Sequence, residues 1–306
     1  MIREKLDELA RTETAIAVAQ PQDLAALTAR KNEILSSFFP LTAEDKVYLA
    51  RHPRRPKIGQ YIDALFTDFF EQKGDRQCRE DASILGGIAL FHGQPVTVIG
   101  HRKGNDLQEN MAYNFGMPGP EGYRKALRLM RLAEKFGRPI ITFIDTPGAY
   151  PGMEAEARGQ GEAIAHNLAE MSQLTVPVIS VVTGEGSSGG ALAIGVANRV
   201  LMLENAVYAV LSPEGFASIL WKDAARSAEA AGIMKLTAQD LLSFGVIEEI
   251  IPEPVGGAQR DPKSVFAALD AALSRHLSEL QQFTGEGLAL QRYGKFREIG
   301  QAEVTL

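Results

Sequence analysis

Residues 139–152 run Pro139-Ile140-Ile141-Thr142-Phe143-Ile144-Asp145-Thr146-Pro147-Gly148-Ala149-Tyr150-Pro151-Gly152. A short apolar run stopped by proline and glycine predicts a strand buried on both faces. A helical stretch follows to about Gln173. The order then repeats. Residues 177–183 are a second buried strand, Gly184-Glu185-Gly186-Ser187-Ser188-Gly189-Gly190 is a second glycine loop, and small residues to Ala197 make a short helix. Strand, glycine loop and helix in succession predict an α/β core.

Downstream, residues 200–203, 207–211 and 246–251 are predicted strands, and residues 213–221 and 237–244 predicted helices. Residues 263–282 form an amphipathic helix before a polar tail. Upstream, residues 84–91 and 95–100 flank His92-Gly93-Gln94 as a β-hairpin. Residues 123–136 form a basic helix closed by Gly137, with Arg124, Lys125, Arg128, Arg131 and Lys135 on a face expected to be solvated. Glycine is absent before Gly59, and Thr42-Ala43-Glu44-Asp45 has capping-box spacing, so residues 1–50 are expected to be two or three amphipathic helices. Arg51-His52-Pro53-Arg54-Arg55-Pro56-Lys57 is expected to be a solvated connector. The chain thus divides into a helical arm (1–50), an α/β core (51–262) and a C-terminal helix and tail (263–306).

The 306 residues are 45% hydrophobic and 23% charged, which excludes disordered and collagen-like chains. Cys78 is the one cysteine, so a disulfide framework is excluded and a reducing cytoplasm is expected. No apolar run reaches the roughly 18 residues of a membrane span, and Met1-Ile2-Arg3-Glu4-Lys5 does not open a signal core. A net charge of −6 argues against a dedicated nucleic-acid site.

Each glycine loop is expected to leave unpaired backbone N–H groups at a helix start, a cradle for an anion or a developing oxyanion. Alternatively, the glycines serve tight turns and close packing alone. A Walker loop is rejected, because Gly190-Ala191 stands where Lys-Ser/Thr is required. The dinucleotide pattern is spelled by residues 184–189, with Glu204 downstream, but it lies too deep in the chain. Gly186-Ser187-Ser188-Gly189-Gly190 also fits a nucleophile elbow. Only His276 follows it, in an expected surface helix, so a serine hydrolase would need Ser187 or Ser188 with Lys222 or Lys235 as base. Cys78, His52, His92, His101, His166 and His276 are scattered without metal-ligand spacing, so no metal is expected on this chain. Arg158 fixes a substrate carboxylate or carbonyl, or else belongs with Glu154, Glu156 and Glu162 to an ordinary charged helix start. A purely scaffolding subunit is a third possibility.

Longer strings carry a resemblance. They are Phe115-Gly116-Met117-Pro118, the run from Pro120 to Met130, the run from Ile141 to Gly152, Gly189-Gly190-Ala191-Leu192-Ala193-Ile194-Gly195, Ser212-Pro213-Glu214-Gly215 with residues 217–222, and Ile251-Pro252-Glu253-Pro254. Together they resemble the carboxyltransferase alpha subunits of bacterial acetyl-CoA carboxylase, over about residues 47–260. The resemblance implies a crotonase-type spiral of β-β-α units and transfer of a carboxyl group from carboxybiotin to acetyl-CoA. The product is malonyl-CoA, in the first committed step of fatty acid biosynthesis. It implies a zinc-bearing beta subunit in an α2β2 assembly, a biotin carboxyl carrier protein, and a biotin carboxylase that uses the ATP. It makes the Gly189 and Gly190 amides the oxyanion donors for biotin's ureido oxygen, with Gly148, Ala149, Tyr150, Gly152, Arg158, Gly186 and Ser188 about the substrates. The family commonly has glycine where this chain has Ser187, which puts the backbone there in question.

Overall fold

Buried apolar runs can satisfy their backbone only by pairing, and here they pair into one mixed sheet. The computed structural model describes residues 2–301. Its strands are β1 (Thr67–Glu71), β2 (Ile84–Phe91), β3 (Gln94–His101), β4 (Ile140–Thr146), β5 (Val178–Ser187), β6 (Arg199–Leu203), β7 (Val207–Ala209) and β8 (Glu249–Ile251). They lie in the order β1-β2-β3-β4-β5-β6-β8, with β7 also paired to β5. β1, β2 and β3 are antiparallel, and every pair from β3 onward is parallel. The expected hairpin forms β2 and β3, turning on His92 and Gly93, both with positive φ.

Helices Pro120–Lys135 and Gln160–Gln173 cross between the parallel strands and pack on each other. Ile140, Ile141, Phe143, Val178, Ile179 and Val181 are buried on the two faces of the sheet in the principal core. Two polar residues in these strands are satisfied internally: the Thr142 and Ser180 hydroxyls bond each other and the Ile194 carbonyl. β5 divides its partners. Residues 179–182 pair with β6, whereas Glu185, Gly186 and Ser187 pair with β7. The strand therefore runs through the first half of the second glycine loop, which was expected to be irregular.

Helices Ile2–Ala17 and Leu24–Ser36 form a small core of Ile2, Leu9, Ile34, Phe38 and Leu49, with Val255 packed against it. The capping box of helix Ala43–Ala50 is present, with Thr42 and Asp45 bonded reciprocally. No helix among the described residues is long and apolar enough to cross a membrane.

Four expectations need correction. Residues 51–57 are no solvated connector: Arg55 is 1% exposed, pairs with buried Glu253 and donates from Nε to the Thr183 carbonyl. The basic helix is covered on part of its charged face by residues 72–81. Lys125 is fully buried on Glu80 and the Asp81 and Ile84 carbonyls, and Arg124 pairs with Asp75 at 3.0 Å. The tail contains a helix, Gly285–Glu298, whose buried Arg292 donates to the Met171 and Leu174 carbonyls at 2.9 Å each. It thereby satisfies carbonyls at the C-terminal end of helix Gln160–Gln173, groups that every helix end leaves unpaired. His276 is not on a surface: it is 7% exposed, with Nε2 2.7 Å from Glu249 Oε2.

Candidate functional site

Both glycine loops leave the C-terminal ends of parallel strands, the edge at which open α/β sheets place ligands. The first leaves β4 at Thr146. Its hydroxyl accepts from the Gly148 N–H at 3.0 Å and bonds the Gly148 carbonyl at 2.8 Å, which curls the chain into a tight bend. Gly148 has φ +140°, a backbone that L side chains resist. The Tyr150 N–H donates to the Pro118 carbonyl at 3.0 Å, and Gln160 Nε2 donates to the Pro118 and Tyr150 carbonyls. Residues 116–118 thus hold the bend from outside. The helix beyond is not continuous, as the sequence suggested. Met153–Ala157 begins at Gly152, and the chain breaks at Arg158 and left-handed Gly159 before helix Gln160–Gln173.

The second loop ends β5 and opens helix Ser188–Leu192, only five residues long. So short a helix has little macrodipole, and its donor capacity rests on the amides themselves. Neither the Gly189 nor the Gly190 N–H group donates to another group among the described residues, whereas the Ser188 N–H lies at the end of the β5–β7 ladder. Ser187 has φ −123° and ψ 132°, ordinary extended geometry that needs no glycine. Ser188 is the residue at positive φ, +56°.

The two loops meet at Gly190. A Cβ added there would lie 2.5 Å from the Ala149 nitrogen and 2.6 Å from the Gly148 carbonyl carbon. At Gly189 a Cβ would meet only Ile164, at 3.4 Å. Beside Gly189 opens a mostly apolar cavity of about 450 Å³, walled by Ser188, Leu192, Tyr208, Val210 and Leu241 among others. That is a ligand-sized space. Gly186 lies within β5, where a Cβ would lie 2.9 Å from Tyr208 Cδ2 and 3.3 Å from Ile144 Cγ2. Arg158 turns to Glu121, with Nε 2.6 Å from Oε1. Tyr150 and Gly152 sit half-buried on the outer side of the first bend.

Charged groups support the loops from beneath. Lys103 Nζ is 2.8 Å from Asp145 Oδ1 and 3.0 Å from Glu185 Oε1, while Arg51 Nε is 2.8 Å from Glu185 Oε2. Burial alone would raise the Asp145 pKa, but Lys103 and Lys57 outweigh it and hold the carboxyl below its ordinary range. Burial likewise opposes the Lys103 ammonium, and Asp145 and Glu185 outweigh it to raise that pKa. His101, at the end of β3, is 2% exposed, and burial pushes its pKa down to about 4. Its ring lies against backbone of Gly190 and Phe143, yet neither nitrogen makes a hydrogen bond of normal geometry.

Motif reading missed His101, Lys103 and Arg51. His101 and Lys103 lie in the one local signal available, Gly100-His101-Arg102-Lys103-Gly104 at a strand end. Neither Ser187 nor Ser188 offers its hydroxyl to a histidine or lysine among the described residues, and Lys222 and Lys235 are exposed. No group of three or more His, Cys, Asp or Glu side chains among the described residues could hold a metal ion.

The family model for acetyl co-enzyme A carboxylase carboxyltransferase-like proteins matches residues 1–300. The chain belongs to this family. It is 54% identical over 301 residues to the acetyl-coenzyme A carboxylase carboxyl transferase subunit alpha of Geobacillus sp. (strain WCH70), covering 98% of this chain and 93% of that one. The protein of the same name from Listeria monocytogenes serotype 4b (strain F2365) is 52% identical, covering 98% and 94%. Among solved structures, transcarboxylase 12S superposes with TM-score 0.58 at 20% identity, over 80% of this chain and 44% of that chain. The Pseudomonas malonate decarboxylase MdcD-MdcE hetero-dimer gives 0.57 at 20% identity, over 71% and 88%. These structural likenesses show the fold, the crotonase-like α/β architecture of carboxyltransferases.

Proposed function

We infer that this chain is the alpha subunit of the acetyl-CoA carboxylase carboxyltransferase, and that it acts with a beta subunit. The observation that carries its chemistry is the two unpaired amides of Gly189 and Gly190, braced on the Gly148-Ala149 bend at the mouth of an apolar cavity. A fused apolar ring with one polar carbonyl suits that combination, so the residues present fit biotin. When bound, carboxybiotin supplies the carboxyl group and takes the methyl proton in exchange, so that acetyl-CoA becomes malonyl-CoA.

The chain's own part is electrostatic. The Gly189 and Gly190 N–H groups donate to the oxygen on which negative charge develops, at a site already organised before the reaction. Ser188, Leu192 and Tyr208 exclude water from one side of it. Gly148, Ala149, Tyr150 and Gly152 shape the first bend against the substrates, and Gly186 leaves room for the Tyr208 ring at the cavity wall. Arg158, held by Glu121, lines a separate groove with Tyr150, where it is placed to meet the substrates at the first bend. No side-chain base is required of this chain.

Zinc belongs to the beta subunit in this reading, as an α2β2 partner. The biotin carboxyl carrier protein delivers the carboxyl group, biotin carboxylase consumes the ATP, and all of them work in the cytoplasm. The arm (1–50), core (51–262) and C-terminal segment (263–306) are taken as its structural units. The test is co-purification with a beta subunit and assay of malonyl-CoA formation from carboxylated carrier. Stable assembly without malonyl-CoA would overturn the proposal and favour a scaffold.

A further inference from the structure

The β4–β5 ladder is regular from Ile140 to Ile144, lapses at Asp145, and resumes at Thr146 opposite Gly186. That irregularity lies just where the two glycine loops must be held in register. Ionic contacts take over there. Asp145 precedes the first loop, Glu185 stands four residues before Gly189, and Lys103 Nζ reaches both, at 2.8 and 3.0 Å. The Lys103, Asp145 and Glu185 side chains are 15%, 10% and 9% exposed respectively. Asp145 Oδ1 also accepts the Glu185 N–H at 3.2 Å, and a Cβ on Gly184 would lie 2.3 Å from that oxygen. Gly184 thus lets the carboxylate approach the backbone of β5. Gly116, at φ +74°, leaves room for the lysine stem, since a Cβ there would lie 2.8 Å from Lys103 Cγ. Glu185 passes the connection on through Arg51 to Glu214, 2.8 Å from Arg51 Nη1.

Two buried carboxylates from adjacent strands repel each other unless a cation lies between them. We propose that Lys103 is a positioning residue for carboxyl transfer: by bridging Asp145 and Glu185 it fixes the spacing between the first bend and the Gly189-Gly190 amides. The proposal rests on the functional reading above. Lys103 touches no reacting atom, and it acts through the two strands that carry the loops.

The test uses the alpha chain assembled with its beta subunit. Lys103→Met is expected to lower kcat about 100-fold, the scale of an ångström of misplacement, while KM for acetyl-CoA stays near wild type. Lys103→Arg, which restores a cation between the carboxylates, is expected to recover most of the rate. Hydrogen exchange supplies a second readout. In Lys103→Met the peptides spanning 144–152 and 184–192 should exchange faster, with 285–298 unchanged. Wild-type kcat, or wild-type exchange in both loop peptides, would overturn the proposal. If Lys103→Met does not fold, Glu185→Gln keeps the Lys103–Asp145 pair and should loosen 184–192 and lower kcat; wild-type behaviour in both would overturn it. If the wild-type complex makes no malonyl-CoA, the functional reading fails, and the exchange measurement still decides the role of Lys103.

Discussion

Gly190 rests directly on the backbone of Gly148, so close that one methyl group on its Cα would enter the Gly148–Ala149 peptide. The neighbouring Gly189 has ordinary van der Waals room for the same methyl, next to Ile164. Alanine keeps the N–H at either position, so the pair separates loop contact from donor loss. Gly190→Ala is expected to lower the transfer rate about 100-fold by parting the loops, while Gly189→Ala stays close to wild type. Steady-state rates of the two reconstituted variants check this, and equal losses would mean that loop contact is not what matters.

Neither loop serine is paired with a base, and Ser187 is a buried residue. Ser187→Ala and Ser188→Ala should therefore retain malonyl-CoA formation, and the wild type should resist fluorophosphonate labelling. Labelling that disappears in Ser188→Ala would bring back the hydrolase hypothesis.

Acid should weaken the fold from beneath the site. The His101 pKa, pushed by burial to about 4, lies below the ordinary histidine value of roughly 6.5. The unfolded chain therefore takes up the proton first, and stability present above roughly pH 6.5 is lost as pH falls toward 4. Lys103 opposes the imidazolium and Asp145 favours it, but burial dominates. Between about pH 7 and about pH 5 this one group contributes a loss of about 2 kcal/mol. Denaturant titrations should show a shallower pH dependence for His101→Gln, and unchanged slopes would rule the mechanism out.

Arg55 and Glu253 have no side-chain exposure, and Glu253 also accepts from the Asn205 and Ala258 amides at 3.1 and 2.8 Å. Arg55→Met leaves that carboxylate buried without its cation, at a cost of about 3–5 kcal/mol. Equilibrium unfolding of the single variant tests this, and a loss under about 1 kcal/mol, the scale of a surface pair, would contradict it.

Period and punctuation are local properties, and what depends on them was legible. The apolar runs of β4 and β5, the glycine loops and the hairpin about His92-Gly93 follow from neighbouring residues alone. The buried charges were not legible for the converse reason. Arg55 finds Glu253 198 residues away, and Lys103 finds Asp145 and Glu185 at separations of 42 and 82. In the sequence these lysines and arginines look like any solvated face. The tail helix was hidden similarly, because Arg292 reads as surface until the carbonyls of residues 171 and 174 are placed beside it. At the site, Gly148, Ala149, Gly189 and Gly190 announced themselves by composition, while His101 carried no motif.

The arm makes its own small core, yet Glu13 is also paired with Arg260, 247 residues later, and Val255 packs against the arm's core. A chain emerging from the ribosome exposes the first helices long before residue 260. The first helices can form early on contacts with Tyr48 and Leu49, but the partners Val255 and Arg260 are made about 200 residues later. Closure of the arm over residues 255–260 therefore follows synthesis of all eight strands of the sheet, the last of which ends at Ile251.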